Sequence, residues 1–170
     1  MPAMIRLACP ADLVLLPAIE ASAATLLAGT AGARAANGAA TPAKALAAGL
    51  HAGSLWVAAA PRPCGFLLAA ATGGWLHIQE LSVARGAQRR GLGTALLHAA
   101  IMAAPALGCA RLSLTTDRWL AWNAPFYARH GFAEAALHDP ALPGWLARLP
   151  AHAAADGLDP ARRCVMVRAA

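Results

Sequence analysis

Between a run of apolar residues and a long alanine- and leucine-rich stretch, the chain reads Gln88-Arg89-Arg90-Gly91-Leu92-Gly93-Thr94. A segment of this kind at the start of a helix leaves backbone N–H groups and the positive end of the helix dipole facing whatever lies in front. Two glycines allow close backbone approach, and two arginines add charge-assisted hydrogen bonds to phosphate oxygens. No Gly-Lys-Ser/Thr follows, so it is not a Walker loop, and it lacks the third glycine and acidic partner of a dinucleotide fingerprint. Taken alone, the segment reads either as a pyrophosphate cradle or as a solvated basic turn.

Proton-transfer candidates are few, because the chain has only three glutamates, Glu20, Glu80 and Glu134, and a single tyrosine, Tyr127. Regular strand alternation over Trp75–Val83 puts Glu80 on one face with Leu76, Ile78 and Ser82, and Trp75, His77, Gln79 and Leu81 on the other. A carboxylate among apolar neighbours has a raised pKa, suited to accepting a proton near neutrality. His77 titrates in a useful range by type, but lies on the opposite face unless a β-bulge intervenes. Cys9, Cys64, Cys109 and Cys164 lie far apart, without a Cys-x-x-Cys pair or a histidine cluster. That spacing supports neither a metal site nor a disulfide framework.

These residues need a scaffold. Met4–Ala8 reads as a strand, and Pro10-Ala11-Asp12 opens a helix running to about Leu27. Ala28–Ala40 has little to bury and reads as a mobile loop, after which Thr41-Pro42 starts a second helix to about His51. Ser54–Ala60, Cys64–Thr72 and Trp75–Val83 read as three strands, separated by Pro61-Arg62-Pro63 and Gly73-Gly74, and so as an antiparallel meander. A helix over Thr94–Ala104, a strand at Arg111–Thr116, a helix over Ala121–His130 and a strand at Phe132–Leu137 follow. Pro140–Gly157 holds a short helix, and Arg163–Arg168 closes as a strand. The expected fold is α+β: a mixed sheet of about six or seven strands, antiparallel then parallel, with about four helices on its two faces.

At 170 residues, one domain over 1–170 is expected. The hydrophobic fraction of 59% is inflated by 49 alanines; without them about 30% remains, ordinary for a soluble core. The longest uncharged run, Gly91–Ala110, has the length of a membrane span, yet it carries two early glycines, His98, Pro105 and Gly108. The first residues, MPAMIRLACPAD, lack the pattern of a secretory signal, so a cytoplasmic protein without membrane contact is expected. A net charge of +6 favours an anionic partner. The arginines are scattered except at Arg85, Arg89 and Arg90, which argues against nucleic acid.

Gln88-x-x-Gly91-x-Gly93 matches the (Arg/Gln)-x-x-Gly-x-(Gly/Ala) motif of the GCN5-related N-acetyltransferase (GNAT) superfamily, and Phe126-Tyr127-Ala128-Arg129-His130-Gly131-Phe132 resembles its aromatic-Tyr-x-x-x-Gly-Phe ending. The order of elements from 4 to 168 is similar to that superfamily. Trp122–Tyr127 and Gly157–Arg163 resemble a bacterial subgroup. The resemblance implies acetyl-CoA as cofactor, with Gln88, Arg89, Arg90, Gly91, Leu92, Gly93 and Thr94 at the pyrophosphate. It also implies a backbone amide among Leu81, Val83 and Ala84 at the thioester carbonyl, with Ser82 beside them. By the same resemblance Glu80 is a water-mediated base or an amine anchor, and Tyr127 is the acid for the departing thiolate.

Asn123 is either a cofactor contact or a helix N-cap, and Phe126 lies beside the cofactor or packs. The implied reaction is acetyl transfer to a small-molecule primary amine by direct attack in a ternary complex. The alternatives are a non-catalytic acyl-CoA-binding module, or acetylation of a protein terminus or an aminoacyl-tRNA. Trp56, Trp75, Trp119 and Trp122 fall next to the implied acceptor cleft, as rim or core residues. Trp145 with Leu142, Leu146 and Leu149 reads as an amphipathic lid or a homodimer contact.

Overall fold

A computed structural model of the chain describes residues 3–27, 40–153 and 158–170. Seven strands form one sheet: β1 (Met4–Leu7), β2 (Leu55–Ala59), β3 (Pro63–Thr72), β4 (Trp75–Val83), β5 (Arg111–Asp117), β6 (Ala133–Glu134) and β7 (Arg163–Ala169), in the spatial order β1-β2-β3-β4-β5-β7-β6. The helices are α1 (Leu16–Ala24), α2 (Ala43–Ala52), α3 (Leu92–Ala103), the five-residue α4 (Ala124–Ala128) and α5 (Gly144–His152). The α+β expectation holds, and so do the meander and its two turns. Gly73 and Gly74 both have positive φ, 55° and 78°, the backbone that a two-residue turn between twisted strands demands. The expected order of antiparallel then parallel pairing is met at β4–β5, the one parallel pair among the described residues. Beyond it β7 inserts between β5 and β6 and pairs antiparallel with both.

Both faces of the sheet are covered, which is why β2 is buried at every residue and shows no polar alternation. On one face α3 lays Leu96, Leu97 and Ala100 against Leu67, Leu76, Ile78, Leu112 and Leu114. On the other, Leu16 and Ile19 of α1 and Leu46 of α2 cover Val57, Phe66 and Leu68. Further along that face, Leu142 and Leu146 of the α5 segment are buried with Trp75 and Val165. Of the apolar stripe expected as a lid or homodimer contact, Leu142 and Leu146 are thus in the core, while Trp145 and Leu149 are half-buried.

Three elements are shorter than expected. The first helix, expected from Pro10 to about Leu27, is α-helical over Leu16–Ala24 and continues as 3-10 turns on either side, Pro10–Leu15 and Thr25–Leu27. The helix expected from Ala121 begins at Ala124, because Asp117 Oδ1 accepts the N–H groups of Trp119 and Leu120 and turns the chain first. Arg162 holds that carboxylate in place at 2.7 Å. The strand expected over Phe132–Leu137 is limited to Ala133–Glu134. The loop expected to be mobile, up to Ala39, and the end of the late insertion lie outside the described residues. No helix among the described residues is long and apolar enough to cross a membrane.

Candidate functional site

The site begins with an irregularity in β4. Leu68 of β3 pairs with Glu80, but the next residue, Ala69, pairs with Ile78, so Gln79 is an extra residue opposite nothing. This is a β-bulge, and it inverts the strand's alternation beyond it. Leu76 and Ile78 face α3, and past the bulge Leu81 and Val83 face α3 as well. Glu80 and Ser82 turn to the other side, where their partners Leu68 and Phe66 belong to the α1–α2 core. The expectation that Glu80 shares a face with Leu76 and Ile78 is thus overturned, and the bulge brings Glu80 and His77 to one side of the sheet.

Pairing between β4 and β5 stops at the same place. It ends at Ile78↔Leu114, although β4 continues along β3 to Val83 and β5 continues along β7 to Asp117. A gap therefore opens between the two strands. The Ala84 N–H donates to Cys64 O of β3 at 2.8 Å. Antiparallel pairing alternates, so the Ser82 N–H faces β3 too, whereas the Leu81 and Val83 N–H groups face the gap. Of the three candidate amides, Ala84 is removed, and Ser82 enters the site through its side chain. Gln88 Nε2 donates to the Val83 carbonyl at 2.9 Å, which fastens the glycine-containing loop to the end of β4.

In that loop Arg89 and Gly91 adopt positive φ, 61° and 77°. Gly91 is the residue before α3, and the first helical hydrogen bond is Ala95 N to Gly91 O at 2.9 Å. The Leu92, Gly93 and Thr94 N–H groups are consequently without helical partners and point out of the helix end. Arg89 and Arg90 are exposed and form no ion pair among the described residues. Phe126 of α4 lies against Gly93, within 3.8 Å of where a β-carbon would be. Asn123 stands at the N-cap of α4, but its side chain makes no capping bond; its carbonyl takes the Phe126 and Tyr127 N–H groups. An anion at the helix end, with an amide-bearing arm along the edge of β4 that faces the gap, fits this geometry.

Tyr127 packs edge-on against Phe126 and Phe132, with ring centroids 5.0 and 5.9 Å away. Burial, with the Glu80 charge nearby, holds its hydroxyl above the usual tyrosine range, and the Arg163 guanidinium pulls the other way. The hydroxyl thus stays protonated and available as a donor.

On the α1–α2 side of β4 lies an open cavity of about 670 Å³. His77, Gln79 and Glu80 form its floor, Glu20 of α1 and Thr41 before α2 one wall, and Trp145 of α5 another. Burial pushes the Glu80 carboxyl up from 4.5 to about 7; the Glu20 charge adds to this, while a 2.6 Å bond from Ser82 Oγ and the Arg163 charge oppose it. Burial lowers His77 from 6.5 to about 4, so the ring is neutral at neutral pH. Its Nδ1 is 3.0 Å from Ser113 Oγ, and its ring is edge-on to Trp145.

Glu20 accepts the Thr41 N–H at 3.0 Å on both oxygens. Glu134 is elsewhere, paired with Arg118 at 2.6 Å.

The four tryptophans expected at rim or core divide between core and surface. Trp56 and Trp75 are core residues, and Trp119 and Trp122 are exposed near α4. The cavity's aromatic wall is Trp145, which residue type alone does not distinguish. Arg163 was legible only as part of a C-terminal resemblance. Its Nε is buried without a hydrogen-bond partner and its Nη2 donates to Thr115 Oγ1 at 3.2 Å.

Comparison with known proteins agrees with the fold. The PaiA N-acetyltransferase from Thermoplasma acidophilum, solved with coenzyme A, is 15% identical and covers all of both chains at a TM-score of 0.71. The N-acetylglutamate synthase from Neisseria gonorrhoeae, solved with coenzyme A and N-acetyl-glutamate, is 19% identical at a TM-score of 0.70. That match covers 98% of this chain but spans only 35% of the synthase. The ribosomal-protein-S18-alanine N-acetyltransferase from Escherichia coli is 18% identical over 98% of this chain and 93% of its own, at a TM-score of 0.65. At these identities the likeness is one of fold. The family follows from the sequence: the profile of the Acetyltransferase (GNAT) family matches residues 30–132, and the chain belongs to that family as an acetyl-CoA-dependent acetyltransferase.

Proposed function

We propose that the protein transfers an acetyl group to the primary amine of a small molecule by direct attack, with Glu80 as base and Tyr127 as acid. The observation that carries this reading is the bulge at Gln79, which sets Glu80 in the cavity floor next to the unpaired edge of β4. Acetyl-CoA supplies the activated acyl group as a thioester. The Leu92, Gly93 and Thr94 N–H groups, with Arg89 and Arg90, hold its pyrophosphate, and Leu81 and Val83 offer N–H groups to its arm and carbonyl.

An amine reaches the site as an ammonium ion and must lose a proton before it can attack. Glu80, with its carboxyl at about 7, is ionised in a useful fraction of molecules at neutral pH and basic enough to take that proton, directly or through water. Tyr127, held protonated, gives its proton to the leaving sulfur, and the second proton that the nitrogen sheds on becoming an amide restores the hydroxyl. No cysteine stands in the cavity wall among the described residues, in keeping with a route without a covalent enzyme intermediate.

The test is thiol release from acetyl-CoA across a panel of amines, peptides with free N-termini and aminoacyl-tRNA. Release with small amines, lost in Glu80→Gln, is the expected result. Release with peptides or tRNA alone would move the acceptor to a macromolecule. Binding of coenzyme A without release for every acceptor would make the chain a cofactor-binding module.

A further inference from the structure

Glu20 and Glu80 are the charged side chains of the cavity, in a chain whose 14 lysines and arginines outnumber its 8 acidic residues. Elsewhere the acidic side chains that leave the surface are matched: Asp12 with Arg6 at 2.6 Å and Asp117 with Arg162 at 2.7 Å. Even the more exposed Glu134 has Arg118. Among the described residues neither Glu20 nor Glu80 is in a salt bridge. Glu20 is also fixed in orientation, since the Thr41 N–H engages both of its oxygens, and a carboxylate so held keeps further lone pairs for another donor.

We propose that the acceptor is a dication of the diamine type, its reacting amine at Glu80 and its second ammonium at Glu20. The inference rests on the amine-acetylation reading and adds the acceptor's class to it. The Glu20 charge raises the cost of ionising Glu80, and a second positive charge on the ligand relieves it. Ala45, Ala70, Trp145 and Leu149 line the same cavity, suited to a methylene spacer, with an aromatic ring that also attracts a cation. Among the described residues no lysine or arginine lines the cavity to repel a dication, and His77 is neutral.

The experiment compares butylamine with the α,ω-diamines from diaminopropane to diaminohexane, following thiol release. A best diamine should exceed butylamine by roughly tenfold in kcat/KM, and raised ionic strength should shrink that ratio. Glu20→Gln keeps an oxygen for the Thr41 N–H but loses the charge, and should bring the ratio close to one. Acetylation of butylamine and diamines with equal kcat/KM, or a ratio that Glu20→Gln leaves intact, overturns the dication and leaves amine acetylation standing. Absence of release with every amine removes both.

Discussion

Replacing Glu80 by glutamine should make the protein more stable at alkaline pH while disabling it. Glu80 has its carboxyl at about 7 in the folded chain, against 4.5 when unperturbed. Below pH 4.5 the carboxyl is neutral in both states, and charge makes no difference to folding. As pH rises from 4.5 to about 7 the unfolded chain gives up this proton while the folded chain retains it, so the free energy of unfolding falls with pH. Above about 7 the loss is complete. At ~1.4 kcal/mol per pH unit the interval corresponds to about 3 kcal/mol, an upper bound because Glu80 keeps contact with the open cavity. Glutamine preserves the oxygen that accepts the 2.6 Å bond from Ser82 Oγ, so the fold should not suffer from an unpaired hydroxyl.

Denaturant unfolding of both proteins from pH 4 to pH 8.5 measures the effect as a difference, in which every other titrating group cancels. The two should be about equal at the acid end, with the glutamine variant ahead by up to ~3 kcal/mol at the alkaline end, roughly 6 to 12 °C in Tm for a chain of this size. In the same range wild-type kcat/KM should rise through about pH 7, and the variant should lack that limb. The groups facing Glu80 make the assignment clear. His77 is neutral above about pH 4, Tyr127 stays protonated, and Arg163 stays charged. Glu20 is a carboxylate across the cavity. A stability difference that is flat with pH, or that favours the wild type at alkaline pH, would refute the claim that burial raises this carboxyl.

Three further outcomes are expected. Tyr127→Phe should lower turnover by about 100-fold, the usual scale for a lost general acid, with little change in acetyl-CoA affinity; unchanged turnover would remove its role as proton donor. Gly91→Ala should cost about 1 kcal/mol in denaturant unfolding, because φ there is 77° while nothing lies within 4 Å of the added methyl. Gly91→Asn should then recover part of that loss, whereas an alanine variant as stable as wild type would sink the backbone argument. Deleting Gln79 leaves Glu80 opposite Leu68 and Ile78 opposite Ala69 in a regular strand. The product should fold, but acetyl-CoA should bind at least about tenfold more weakly as the strand straightens toward β5; unaltered binding by titration calorimetry would refute a bulge-made gap.

Much of the scaffold could be read from sequence because its signals are local. The strand Trp75–Val83 coincides with the expected limits, and the hairpin before it is set by two adjacent glycines. The turn of the glycine-containing loop into α3 was legible as well, since glycine and arginine report directly on backbone freedom and charge. The face of Glu80 was not, because alternation was applied through a bulge that has no glycine to mark it. A subtler sign was present: the residues facing α3 are Leu76, Ile78, Leu81 and Val83, a spacing of two, three and two. A step of three between steps of two is what one extra residue leaves in a half-buried strand. Glu20 and Trp145 were invisible as partners because they meet β4 only through tertiary packing of α1 and α5.

That single extra residue explains why the proposed base and the unpaired edge of β4 occur side by side. A bulge increases local twist and bends its strand, and here it sits directly after Ile78, the last β4 residue paired with β5. Bending at that point draws Leu81 and Val83 away from β5 and leaves their N–H groups without strand partners. The same inserted residue reverses the alternation, so that Glu80 faces the cavity while Leu81 and Val83 remain packed toward α3. Had the strand stayed regular, the carboxylate would lie in the apolar core under α3, and the backbone edge would be closed by β5. One departure from strand geometry thus opens the sheet between β4 and β5 and turns a carboxylate into the cavity on its other face.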